Sequence, residues 1–288
     1  PFPTRPEPVD GIVTNGLTEE FVIDYTPELK EQAMVILNGY RVGGLYVPAL
    51  PQGHENDYIN NIGCIGGGNV IPHPPVGDPS TGLMFASHAR NCFAPGFMRP
   101  TNGVDRDNPN YPIPGQGGVT PNSTPTTGKT VAAWLPGGGG GLPTIDGLRV
   151  FKPMDNQLTA YQMNSGEKAW SMAVGPTPDS IKNHPLLEGV DVPDTGGVGW
   201  SIQMVMADLL VQTRALSEGG VQQIPDEPLA LNARDKFTGE IVGSVPLPAP
   251  GQYGMMTYMH QGKHYIVVQI GSSRTDFPAA LVAFKLPN

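Results

Sequence analysis

Apolar and polar positions alternate with a period of two through most of the second half of the chain, and that alternation predicts strands. "LRVFK", "LTAYQM", "KAWSMAV", "IQMVMADLLVQT", "LALNARDK" and "EIVGSVPL" are such runs. "MMTYMHQGKHYIVVQIG" predicts a hairpin turning at Gln261-Gly262, and "ALVAFKLP" adds a last strand. Earlier, "GDPSTG" reads as a turn that delivers the strand "LMFASH". A 3.6-residue period occurs clearly once, with Leu29, Ala33, Ile36 and Leu37 on one stripe. Thr26 is its N-cap, Pro27 suits the first helical position, Glu28 and Glu31 favour the positive end of the dipole, and Gly39 is a stop. A second, short helix is expected in "PTPDSIKNHPLLEG", with Thr177 as cap and Pro178 at its start.

Two of the strand pairs are nearly one line written twice. "LTAYQMNSGEKAW" (158–170) returns as "LNARDKFTGEIVG" (231–243), with Leu158/Leu231, Ala160/Ala233, Gly166/Gly239, Glu167/Glu240 and Ser171/Ser244 in register. "DPSTGLMF" (78–85) repeats the polar turn ending in Gly. A glycine at positive φ lets the chain reverse between neighbouring strands, and the flanking apolar positions face the next sheet. Repeated strand–turn–strand units predict radially stacked sheets, an all-β propeller. The repeat spacing of about 73 residues exceeds the usual ~40–45-residue blade, so the short helix and the 214–228 loop are expected insertions. Three or four blades fit the length, too few to close a ring comfortably.

Composition changes this picture in four ways. With 38 Gly and 32 Pro the chain is rich in turn residues, and they cluster in 98–141, which reads as a long irregular insert packed along a surface. "GKT" at 128–130 lacks the earlier glycine and the following helix of a phosphate loop, and is set aside. A formal charge of −9 without any basic run excludes nucleic acid as a partner class. No apolar run approaches the ~18 residues of a membrane span, and the sequence shows no signal peptide and begins at Pro1 without a Met. A soluble segment that is a processed product, a fragment or an excised domain is expected. Cys64 and Cys92 fit no zinc spacing and allow either one bridge or two thiols.

The repeat "A-Y-x-M-N-S-G-E-K-A-W" and its partner "A-R-D-K-F-T-G-E" resemble the tryptophan-docking repeat of the quinoprotein dehydrogenases, which carry pyrroloquinoline quinone (PQQ) on an eight-bladed propeller. "FVIDYTPELKEQAMVILNGYR", "GLPTIDGLRVFKP", "TPDSIKNHPLLEGVDVPDTGG", "PGQYGMMTYMHQGKHYIVVQIG" and "AALVAFKLP" resemble the branch around the membrane-bound glucose dehydrogenases. The resemblance covers most of 1–95 and nearly all of 142–288. It implies that residues 1–288 form one partial β-propeller domain, the C-terminal blades of such an enzyme, with 98–141 inserted. It also implies that the catalytic aspartate, its basic neighbour and most calcium ligands lie upstream of Pro1, so no catalytic residue and no metal ligand is assigned to this chain.

What the resemblance does assign is part of the cofactor rim. PQQ is a flat ortho-quinone with three carboxylates, and its site requires hydrogen-bond donors, a flat apolar surface and a cation. "GGGNV" at 66–70 places Gly68 for close backbone approach and Asn69 as an amide donor, although Val70 stands where the family often has Trp. Ser87 ends a strand whose counterpart points at the central site, and Trp200 lies where some relatives put an aromatic facing the cofactor. The alternatives are a Gly-rich turn for Gly68 and Asn69, and core packing for Trp200. His88, Lys152, His260, His264 and the Lys182–His184 cluster are read as ordinary strand-end, turn or capping residues. Trp170 is assigned to packing between blades, Asp235 to turn chemistry. Gln162, in place of the usual acid, implies a less tightly bound first turn.

The implied function is oxidation of an alcohol or sugar hydroxyl in the periplasm. A base in the other half takes the proton, hydride goes to PQQ, calcium polarises the acceptor carbonyl, and electrons leave to cytochrome c or a membrane quinone. The implied partner is the N-terminal half of the propeller, from the same precursor or as a separate chain. The other function class is a cofactor-free propeller scaffold in the cell envelope.

Overall fold

The computed structural model describes residues 19–42, 60–66, 75–88, 90–93, 97–98, 135–136, 142–153, 156–196, 200–215, 229–271 and 277–285. The chain divides into two compact units. One comprises Pro1–Val13, Gly66–Asn91 and Pro153–Asn288, the other Thr14–Ile65 and Cys92–Lys152.

In chain order the strands are β1 (Tyr40–Val42), β2 (Asn60–Gly66), β3 (Val76–Asp78), β4 (Leu83–His88), β5 (Arg90–Phe93) and β6 (Phe97–Met98). There follow β7 (Leu135–Pro136), β8 (Thr144–Ile145), β9 (Leu148–Arg149), β10 (Gln157–Gln162), β11 (Lys168–Ala173) and β12 (Trp200–Val205). The remainder are β13 (Leu209–Ala215), β14 (Ala230–Asp235), β15 (Ile241–Pro246), β16 (Gly251–His260), β17 (Lys263–Ile270) and β18 (Ala280–Lys285). Helix α1 spans Pro27–Leu37 and α2 Asp179–Lys182.

The larger unit consists of antiparallel meanders. β3, β4, β10 and β11 form one four-stranded sheet, and β12–β15 form a second in simple up-and-down order. β16–β18 form a third, whose strand ladder meets that of the second at the parallel pair Ala215 and Gly251. Each interface between successive meanders holds a core of its own. Leu83, Phe85, Leu158, Ala160, Val174 and Leu210 close the first; Val211, Leu231, Leu247, Ile266, Val268 and Ile270 close the second. Each such side chain contributes about 1.5–3 kcal/mol by leaving water, which is why the sheets stack face to face. These are the blades expected of a propeller.

The repeated line takes the same place in both four-stranded blades. It is the third strand, the turn and the fourth strand, β10–β11 in one and β14–β15 in the other. The register slips at Ala160/Tyr161 in the first and at Ala233/Arg234 in the second, the same position of the repeat. In each, the glycine N–H returns to the carbonyl four residues back: Gly166 to Gln162 and Gly239 to Asp235, as Gly82 does to Asp78 in the β3–β4 turn. All three glycines sit at φ 71–78°, the left-handed region that a Cβ makes costly.

Trp170 on β11 joins the first blade to the second. Its Nε1 donates to the carbonyl of Lys236 at 3.0 Å, and its ring lies 5.9 Å from that of Phe85. A Cβ on Gly239 would meet the Trp170 ring at 3.1 Å and the Met172 methyl closer still. The docking role expected of Trp170 is thus present atom by atom.

In the smaller unit, α1 begins at Thr26, whose hydroxyl accepts from Leu29 N at 3.2 Å, and buries Leu29, Ala33 and Leu37. β1 pairs in parallel with β2 within a three-stranded sheet that β5 completes. Cys92 on β5 is disulfide-bonded, which decides against two free thiols. Met98 of the 98–141 insert pairs with Leu135, as Phe97 does with Pro136; 99–134 and 137–141 lie outside the described residues.

Three expectations need correction. Thr177 does not cap α2: Pro178 holds the N-cap position, and the Thr177 hydroxyl donates instead to the Pro193 carbonyl at 2.7 Å. "IQMVMADLLVQT" is two strands, because Met206 N returns to Leu209 O and closes a tight turn around Ala207-Asp208. "LRVFK" yields only the two-residue β9, after which Phe151 makes a lone bridge to Val22.

Candidate functional site

The first strands of the blades converge. β12 packs against β16 and against both β3 and β4. At this junction the Ser87 hydroxyl accepts from Ser201 N at 2.8 Å and donates to Asn156 Oδ1 at 3.2 Å. Two of the candidate positions are therefore brought together, since Ser87 holds the amide that follows Trp200. The Ser87 O–H is thereby committed to Asn156 and has no proton left for a ligand.

Asn156 was not singled out by the sequence. It is completely buried, Ser201 Oγ reaches its Oδ1 at 3.5 Å, and a Cβ on Gly196 would lie 2.2 Å from its carbonyl oxygen. Only a glycine allows that approach. Asn156 Nδ2 has no hydrogen-bond partner among the described residues, nor has the buried Thr195 Oγ1 beside it. Thr195 is neighbour to this position through its carbonyl, which accepts from Gln157 Nε2 at 3.1 Å. An unpaired buried amide costs about 1–3 kcal/mol, so Asn156 Nδ2 calls for a partner beyond the described residues, a water or a ligand.

A second buried constellation ties two turns together. Lys236, 2% exposed, bonds its ammonium to Asp78 Oδ2 and to the Ala207 carbonyl at 2.6 Å. Asp78 also accepts from Ser80 N, Ser80 Oγ and Thr81 Oγ1, at 3.0, 2.6 and 2.8 Å. Lys236 above all, then the two hydroxyls, hold the Asp78 carboxyl far below the usual carboxylate range. Every donor and acceptor is matched, so this is an inter-blade clamp rather than a reactive carboxylate.

The remaining sequence candidates divide cleanly. Gly68, Asn69 and Val70 lie outside the described residues. Trp200 opens β12, paired with Ala215. His88 Nε2 lies 2.9 Å from Thr159 Oγ1, and Thr159 in turn meets Ser171 at 2.7 Å, a buried strand-to-strand chain. Lys152 pairs with Asp24 at 2.6 Å, half-exposed. His184 accepts from Leu186 N as a cap. His260 and His264 flank the turn in pairs with Lys263 and Met259. Asp235 Oδ1 accepts from Phe237 N and Thr238 N at 2.8 and 2.9 Å, and these bonds, that of Thr238 first, lower its pKa. Among the described residues no three of His, Cys, Asp and Glu come together as a metal site.

Comparison with known proteins meets this architecture from another side. The profile of the PQQ family described as "Glucose/ethanol/alcohol dehydrogenase, beta-propeller domain" matches residues 1–266. The glycerol dehydrogenase large subunit of Gluconobacter oxydans (strain 621H) is 26% identical over 196 residues, 63% of this chain. The chain spans 23% of the length of that relative. Among solved structures, quinohemoprotein alcohol dehydrogenases are similar to it. That of Comamonas testosteroni gives a TM-score of 0.39 at 16% identity, over 85% of this chain and 32% of its own. One from Pseudomonas putida gives 0.37 at 13%, over 83% and 29%. With a profile match that takes in almost the whole sequence, the chain belongs to the β-propeller family of the PQQ-dependent glucose, ethanol and alcohol dehydrogenases.

Proposed function

We propose that this chain forms part of a periplasmic PQQ-dependent dehydrogenase, similar to the glucose dehydrogenase branch, that oxidises the hydroxyl of an alcohol or sugar to a carbonyl. The observation that carries the reading is the family match across residues 1–266. In this reading residues 1–288 are one partial propeller domain with 98–141 as an insert. The remaining blades, the catalytic base and the main calcium ligands come from the same precursor or from a partner chain. Electrons pass on to a cytochrome c or a membrane quinone. The disulfide of Cys92 supports an oxidising compartment.

The residues at the convergence of β4 and β12 fit an acceptor-rich cofactor. A quinone with three carboxylates requires donors, and Asn156 Nδ2 is a buried donor without a partner among the described residues. When bound, PQQ supplies the two-electron acceptor of the reaction. This chain's residues bind and orient it. Asn156 donates at the rim, Ser87 and Ser201 fix the Asn156 oxygen so that its N–H groups point one way, and Gly196 closes over its backbone. Gly68, Asn69 and Trp200 complete the proposed rim. Ser87 acts as a positioning residue because its own proton is committed to Asn156.

The test is reconstitution of the native assembly with PQQ and calcium, followed by dye-linked assays against a panel of primary alcohols, polyols and aldoses. Quinone absorbance retained after gel filtration, with dye reduction by at least one substrate, is the expected result. An assembly that neither retains PQQ nor reduces the dye with any of them overturns the reading.

A further inference from the structure

Between the end of β11 and the faces of β13 and β14 lies a cavity of about 280 Å³. It sits just below the ~300–1,000 Å³ of ordinary ligand pockets, the size for a small metabolite. Its walls combine apolar side chains such as Val174 and Leu229 with Gln212, Thr213, Asn232 and one cation, Arg234; no Asp or Glu lines it.

Arg234 is 7% exposed and makes no ion pair among the described residues. Its Nε donates to Gln212 Oε1 at 3.1 Å, and Nη1 to the Gly239 carbonyl at 2.8 Å, with Met172 Sδ at 3.2 Å. Nη2 has no partner among the described residues. Burying a guanidinium without a counter-charge is unfavourable, and the burial lowers its pKa. The blade does not demand it: the internal repeat puts Tyr161 at the same position of the first blade, where Gly166 closes the same turn. An uncompensated cation that its sister blade replaces with Tyr calls for an anion from outside.

The surroundings narrow the class. Gln212 is itself fixed, its Nε2 donating to Ser201 Oγ at 3.2 Å, so the guanidinium plane is held rigid. Asn232 Oδ1 accepts from Ser244 Oγ at 2.9 Å, which leaves the Asn232 amide N–H groups for a ligand. One guanidinium edge and one amide beside the apolar side chains of Val174, Leu229 and Ile241 suit a monoanionic, planar head with a short hydrocarbon tail; a phosphate dianion calls for more positive charge. We propose that this inter-blade pocket binds a small aliphatic carboxylate, its head on Arg234 Nη2 and Asn232 Nδ2 and its tail against Val174 and Leu229. The pocket adjoins the proposed cofactor rim, since Gln212 donates to Ser201 Oγ and Val174 N to the Asn156 carbonyl at 2.9 Å, but the proposal does not rest on the dehydrogenase reading.

The experiment is calorimetric titration of the full chain at low ionic strength with hexanoate, and with hexanamide as the uncharged match. One-to-one binding of hexanoate, with hexanamide at least tenfold weaker, is expected. Arg234→Gln and, separately, Ala230→Leu, which fills the cavity without touching the Arg234 hydrogen bonds, each weaken hexanoate at least tenfold. Equal binding of acid and amide overturns the proposal, as does no binding of hexanoate, or unchanged affinity in Ala230→Leu.

Discussion

The indole of Trp170 donates to the carbonyl of Lys236, a residue 66 positions later in the chain, and the Lys236 ammonium bonds to Asp78 in the blade that Trp170 comes from. One residue of the second blade is thus held at both ends by the first, through its backbone and through its charge. The repeated line supplies both sides of this joint, Trp170 from its first copy and Lys236 from its second.

The joint leaves no room at Gly239. A methyl there meets Met172 and the Trp170 ring and is placed at φ 78°. Gly239→Ala is expected to cost about 1–3 kcal/mol in urea unfolding. Trp170→Phe, which keeps most of the ring but orphans the Lys236 carbonyl, is expected to cost about 1–2 kcal/mol. A Gly239→Ala protein as stable as the parent would mean that the two blades meet differently.

Acid should loosen the same joint. Asp78 is held below its ordinary pKa by Lys236, Ser80 and Thr81, so its contribution is fully present above the unfolded value of about 3.9 and is lost as pH falls below it. Melting temperatures of the parent and of Asp78→Asn, measured from pH 2.5 to 7, should differ most at neutral pH and converge below about pH 4. A gap that stays constant down to pH 2.5 would contradict the assignment.

Copying one turn onto its sister should be stabilising. Asp235 accepts from Phe237 N and Thr238 N, and the equivalent Gln162 has no such bond among the described residues. Gln162→Asp offers Asn164 and Ser165 the same carboxylate, and a gain of about 1 kcal/mol, or roughly 2–4 °C in Tm, is expected by differential scanning calorimetry.

Asn156 and Ser87 should separate binding from stability. Asn156→Ala is expected to weaken PQQ retention by the assembly at least tenfold. Ser87→Ala, which removes the acceptor for Ser201 N, should cost about 1–2 kcal/mol of stability with a smaller effect on PQQ. Equilibrium dialysis against PQQ, paired with urea unfolding of each variant, reads both quantities.

Much of this fold was written locally. Thr26-Pro27 and the Leu29, Ala33, Leu37 stripe gave the helix within a residue. Alternation gave β10, β11 and β14–β18, and Gln261-Gly262, both at positive φ, made the hairpin they promised. Local signals misled where tertiary bonds competed for the same atom, as when the Thr177 hydroxyl went to Pro193 instead of the helix. β2 and β5 carry no alternation, and their pairing rests on partners far along the chain. Asn156 was invisible for a related reason: Ser87, Gly196 and Ser201, which define its surroundings, come from three remote segments. Ser87 and Trp200 are assigned by the family resemblance alone, and what the structure adds is the bond from Ser201 N, the amide after Trp200, to Ser87 Oγ.

The first blade is interrupted in its middle. β4 ends at His88 and its neighbour β10 begins at Gln157, with most of the smaller unit's chain between them. Loop closure over so long a stretch must be met before the β4–β10 ladder returns any energy, whereas β16–β18 close over short links. On a ribosome, β3 and β4 would therefore emerge as an unpaired hairpin and wait through the synthesis of the insert. Assembly should run from the C-terminal blade back towards the first, with Trp170 closing last and the apolar face of β4 the last to be covered.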